Sequence, residues 1–89
     1  MERDHLAAAA ELLEDAASEA APEPANRLRE QADVLSRLAA RDRGPDHGRL
    51  ARITHALDDL SAALDGEAGE RVTEAKARVE AYRETVDGV

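Results

Sequence analysis

Cysteine, tryptophan and phenylalanine are absent from this 89-residue chain, and tyrosine, lysine and methionine occur once each, as Tyr82, Lys76 and Met1. Without cysteine there is no disulfide framework, no thiolate zinc site and no thiol nucleophile. A single aromatic ring offers no stacking platform for single-stranded nucleic acid. Charged residues recur so often that no 18 apolar residues stand in a row, which excludes a transmembrane helix. Basic residues are few: 12 Lys and Arg stand against 20 Asp and Glu, a net charge of −8. Large aliphatic residues are also sparse, and in so charged a chain that ordinarily signals disorder.

What is present argues for order. The apolar shortfall is made up by alanine, the best helix former, and the apolar positions are periodic. Leu50, Ile53, Leu57, Leu60 and Leu64 follow a 3-4-3-4 spacing, repeated by Val72, Ala75, Val79, Tyr82 and Val86 and by Leu6, Ala9, Leu13, Ala16 and Ala20. Leu28, Leu35 and Leu38 form a looser stripe, in which Gln31 and Asp42 occupy positions where apolar residues are expected. Such spacing makes one apolar face on a helix. Breakers at Pro22-Glu23-Pro24, Gly44-Pro45, Gly66 with Gly69, and Gly88 separate the stripes. They predict helices over about 2–20, 23–42, 46–65 and 68–87 in one domain spanning 1–89. Pro22 or Pro24 suits a helical first turn, Asp46 an N-cap, and Gly66 a left-handed C-terminal stop. Asp33–Arg37, Glu67–Arg71 and Glu74–Arg78 lie four apart with the acid first, the favourable order. Short loops make neighbours antiparallel, so the expected fold is an all-α, up-down-up-down four-helix bundle. A three-helix bundle with a detached or swapped terminal helix is the alternative.

The stripes align at an offset of 22, the period of lipid-surface apolipoprotein repeats. Within each segment, however, the period is seven, the polar faces are acidic, and no large aromatics are available to seat in a lipid interface. Equal helices joined by equal loops explain the offset. Nothing resembles an export signal, since Met1 to His5 carries no net positive charge and Glu11 interrupts the first apolar run. A cytoplasmic location is therefore expected. Eleven of the 12 basic residues are arginine. Abundant acid, scarce lysine and a core poor in large side chains fit a protein living in molar salt, where the Debye length is about 3 Å and self-repulsion is weak. A GC-rich genome would favour arginine and alanine as well.

No constellation supports catalysis. His47 and His55 are eight apart, which on a helix is roughly 12 Å along the axis and about 80° around it, too far for one metal ion. His5 lies far from both in the chain. No HExxH or Glu-x-x-His pair is present, and the serines lack a local motif. No enzyme activity, metal or cofactor is expected. The charge map holds one asymmetry. Residues 37–52 are basic, through Arg37, Arg41, Arg43, Arg49 and Arg52, within an otherwise acidic chain. These arginines, with His47 and His55, are the candidate partner-binding residues. Leu12 and Val34 lie off their stripes and are candidate dimer contacts. The leading reading is a small protein-interaction or scaffold protein that binds another protein or itself. The alternative is a nucleic-acid-associated regulator using the arginine-rich turn. A net acidic domain and molar salt both weigh against phosphate contacts.

Over Pro45-Asp46-His47-Gly48-Arg49-Leu50-Ala51-Arg52-Ile53-Thr54-His55-Ala56-Leu57 the chain resembles a group of small, acidic helical proteins of haloarchaea of unknown function. The resemblance implies a helical fold and a salt-rich cytoplasm, and no activity. If that stretch is a functional signature, Asp46, His47, Arg49, Arg52 and His55 carry it. Its structural reading is a cap at Asp46, close approach at Gly48 and the first core residue at Leu50.

Overall fold

The computed structural model describes residues 2–40 and 47–87. Four helices follow one another: α1 (Glu2–Ser18), α2 (Pro22–Ala40), α3 (His47–Ala63) and α4 (Gly66–Asp87). No strand occurs among the described residues. The fold is the all-α, four-helix bundle that the periodicity predicts. Its Cα radius of gyration is 12.2 Å, matching the ~12 Å of a compact chain this long.

The helix ends follow local chemistry. Pro22 opens α2, where a missing N–H leaves no bond unmade, and the Ala25 N–H reaches back to the Ala21 carbonyl at 2.9 Å. α1 ends at Ser18 rather than near residue 20, because its last turn tightens. Glu19 N–H bonds to Ala16 O and Ala20 N–H to Ala17 O, the i→i−3 pattern common at helix ends. α3 ends at Ala63, and α4 begins at Gly66 rather than near residue 68. Gly66 has the expected left-handed backbone, φ 66°, but stands at the junction between the helices. Asp46, Asp42 and the Gly44-Pro45 turn lie outside the described residues.

The core is built from the predicted stripes. Leu6, Leu13, Leu28, Leu35, Leu50, Leu57, Leu60, Val72 and Val79 are fully buried. Tyr82 is also buried, and Thr54 joins the core by donating its hydroxyl to the Ala51 carbonyl at 2.9 Å. In α2 the buried face is Ala25, Leu28, Ala32 and Leu35. That register differs from the predicted stripe, whose Gln31 and Leu38 are only half-buried. The cause is alanine. Ala25 and Ala32 share one core with Ala9, Ala10, Ala16 and Ala17 of α1, and small side chains let two helices approach closely, so α2 packs on α1 rather than on α3. α1 packs extensively on both α2 and α4, and α4 on α3, whereas α2 and α3 barely touch.

Candidate protein-binding seam

The packing of α2 on α1 leaves a groove between α2 and α3. It is lined by Gln31 and Val34 from α2 and by Arg49, Arg52 and Ile53 from α3, with a volume of about 330 Å³. Leu38 is seven residues beyond Gln31 and Ala56 seven beyond Arg49, so each continues the same helix face. Both are half-buried. The floor is therefore aliphatic and the α3 rim basic, since Arg49 and Arg52 are exposed and three apart on one side of the helix. Arg52 has no ion-pair partner among the described residues. Gln31, an anomaly on a core stripe, sits where a polar side chain meets this groove instead of the bundle centre.

The seam gathers three of the sequence-derived candidates, Val34, Arg49 and Arg52, and leaves others apart. Arg37 is turned to Asp33, with a 2.8 Å ion pair on an exposed face. His47 is exposed at the start of α3. His55 points to solvent, 4.0 Å from Asp59. Arg41 and Arg43 lie outside the described residues. Leu12 on α1 and Val34 on α2 are both half-buried against the core, and of the two Val34 lines the seam.

Contacts between helices escape sequence reasoning: Arg29 Nε of α2 lies 4.0 Å from Glu14 of α1, and two closer bridges tie α4 to its neighbours. Arg71 Nε donates to Glu19 at 3.0 Å, and its other arm lies 3.7 Å from Glu67. Lys76 donates to Asp58 at 2.9 Å. The Arg71 hydrogen bond holds the Glu19 carboxyl below its ordinary pKa, helped by Glu67. Lys76 does the same for Asp58, first by hydrogen bonding and then by charge. Only the Glu67–Arg71 spacing announces one of these contacts; the rest depend on helix order.

A second, shallow concavity of about 620 Å³ lies at the α3–α4 turn, lined by Ser61, Leu64, Asp65, Gly69, Glu70, Thr73 and Glu74 among others. No group of three or more His, Cys, Asp or Glu able to hold a metal ion is found among the described residues. The concavity has no basic side chain in its lining. A groove of about 330 Å³ between α1 and α2, lined by Ala7, Ala10, Glu11, Glu14, Ser36 and Ala39, has none either, so of these three the α2–α3 seam is the one that joins aliphatic and basic lining.

A family model described as "Family of unknown function (DUF7553)" matches residues 1–85. The chain belongs to that family. No curated protein and no solved structure matches it. The match spans all four helices of this DUF7553 member, seam included, and assigns no activity to them. Among the described residues no helix is long and apolar enough to cross a membrane.

Proposed function

We propose that this DUF7553 member is a non-enzymatic protein-interaction or scaffold protein of a halophilic cytoplasm, and that it binds its partner along the α2–α3 seam. One observation carries the reading. In a four-helix bundle α2 and α3 are sequence neighbours with every opportunity to pack, yet they leave an aliphatic floor beneath a basic rim. Apolar surface left at the edge of a core, beside polar groups, is characteristic of interaction surfaces. The second reading, a nucleic-acid-associated regulator, draws on Arg49, Arg52 and the arginines of the preceding turn. It is disfavoured by the net charge of −8 and by the aliphatic character between the arginines, which phosphate contacts do not use.

The test is a photo-crosslinking amino acid placed at position 34 of the full chain in its host, with position 77 on the exposed face of α4 as the comparison. A protein adduct of defined mass, from a partner or a second copy, is expected from position 34 and not from position 77. An adduct with nucleic acid would transfer the function to the second reading. No adduct at position 34 would remove the seam as the working surface.

A further inference from the structure

We propose that Asp65–Gly66, at the junction of α3 and α4, is a modification site, where the native fold permits the aspartyl link to isomerise to a β-linked isoaspartate. The proposal uses no residue of the α2–α3 seam and stands apart from it.

The reaction needs a free aspartyl side chain followed by an unshielded main-chain nitrogen. Asp65 is exposed, and its carboxyl makes no hydrogen bond or ion pair with a described residue. Gly66 has no side chain to block approach, and nothing stands within 4 Å of where its Cβ would be. As the first residue of α4, it carries one of the N–H groups that a helix leaves without an intrahelical acceptor. No bond from that N–H back to the end of α3 takes its place. Asp15, Asp33, Asp58 and Asp59 differ on both counts. Each lies inside a helix and is followed by a residue with a side chain, whose N–H is committed to the carbonyl four residues earlier.

The atoms balance without a co-reactant other than water. The Gly66 nitrogen attacks Asp65 Cγ, a C–N bond forms, and the carboxyl hydroxyl leaves as water with the amide proton. Water then opens the resulting succinimide. Attack at the side-chain carbonyl restores aspartate. Attack at the original main-chain carbonyl breaks the old peptide bond, so that the chain runs through Cβ and the α-carboxylate is left free. One water leaves and one returns, and mass and charge are unchanged. The main chain gains a methylene carbon between Leu64 and α4, where the packing has no slack: a Cβ on Gly69 would lie 2.6 Å from the Leu64 carbonyl oxygen. Isomerisation therefore loosens the α3–α4 hairpin.

The test ages the intact chain in warm, mildly acidic buffer, natively and in urea, and locates β-linkages by electron-transfer fragmentation. Methyl transfer by a protein-isoaspartate methyltransferase is the second readout, made in an Asp87→Glu background because Asp87–Gly88 is the same dipeptide. Natively, Asp65 should convert within about tenfold of its rate in urea, since tenfold corresponds to only about 1.4 kcal/mol of local opening. Adding Asp65→Glu, which keeps the charge but must close a larger and slower-forming ring, should abolish methyl acceptance. The separated isoaspartyl form should melt a few degrees below the parent. If Asp65 converts in urea and not in the native chain, the fold shields the junction and the proposal falls. It also falls if Asp58 or Asp59 converts natively as fast as Asp65, because the reaction then runs through global unfolding. An isoaspartyl form with the parent's midpoint would overturn the loosening of the hairpin.

Discussion

At the residue scale, two glycines three positions apart have different reasons to be glycine. Gly66 adopts a left-handed backbone at the α3–α4 junction, with nothing within 4 Å of where a Cβ would stand. Gly69 has ordinary helical backbone, but a Cβ there would lie 2.6 Å from the Leu64 carbonyl oxygen. That neighbour is main chain and cannot swing aside. Sequence reading finds both as breakers, since glycine disfavours helix for either reason. The predicted helix over about 68–87 already contains Gly69 but does not reveal the close contact that makes it glycine, because close approach is a property of the fold. Gly69→Ala sets a helix-propensity gain of about 1 kcal/mol against displacement of the turn. We expect a net loss of about 1–3 kcal/mol, as overpacked sites show. Urea unfolding of the variant measures it, and an unchanged or raised midpoint would mean that the turn relaxes freely.

At the element scale, the outcome for each helix depends on what decided its register. In α3 and α4 bulky residues on a strict 3-4 spacing leave one way to face the core. Leu50, Ile53, Leu57 and Leu60 are accordingly buried where the pattern puts them, with Val72, Ala75, Val79 and Tyr82 opposite. In α2 three leucines compete with a scatter of alanines, and a periodicity count gives alanine little weight. Close packing reverses that weight, because Ala25 and Ala32 let α2 settle onto α1. The seam is the consequence. Its arginines were legible as a basic segment in the sequence, but the groove between them and Val34 was not, since no pattern within one helix announces a gap between two. Neighbouring helices are also joined by Glu19–Arg71 and Asp58–Lys76, and these give a pH signature. Both carboxyls have their pKa lowered in the folded state by their basic partners. Their stabilisation is therefore complete above the unfolded carboxylate range and lost as pH falls through the lowered folded values. The double variant Glu19→Gln, Asp58→Asn should be less stable than the parent at neutral pH, and the gap should close on acidification. A gap that stays constant from pH 7 to about pH 3 would show that the bridges contribute nothing through charge.

At the scale of the whole molecule, charge and size together set the response to salt. The bundle measures 39 × 20 × 19 Å and carries a net −8. At 0.01 M salt the Debye length is about 30 Å, so nearly every carboxylate senses every other across the body. At 1 M it is about 3 Å, and only contacts such as Lys76–Asp58 at 2.9 Å persist. A core of leucine, valine and alanine in so short a chain supplies only a few kcal/mol, little enough for long-range repulsion to matter. Stability should therefore rise steeply from dilute buffer to molar KCl. Specific potassium binding and a general salting-out of the core would give the same trend, so the trend alone does not establish repulsion. Replacing Glu11, Glu70 and Glu74 by Gln separates these causes. All three are exposed and none forms a salt bridge among the described residues. If repulsion is the cause, the triple variant should gain a thermal midpoint several degrees above the parent in dilute buffer, about what 1 kcal/mol gives a domain of this size, and match it in molar KCl. Equal midpoints at both salt levels would instead place the salt requirement in the hydration of the core.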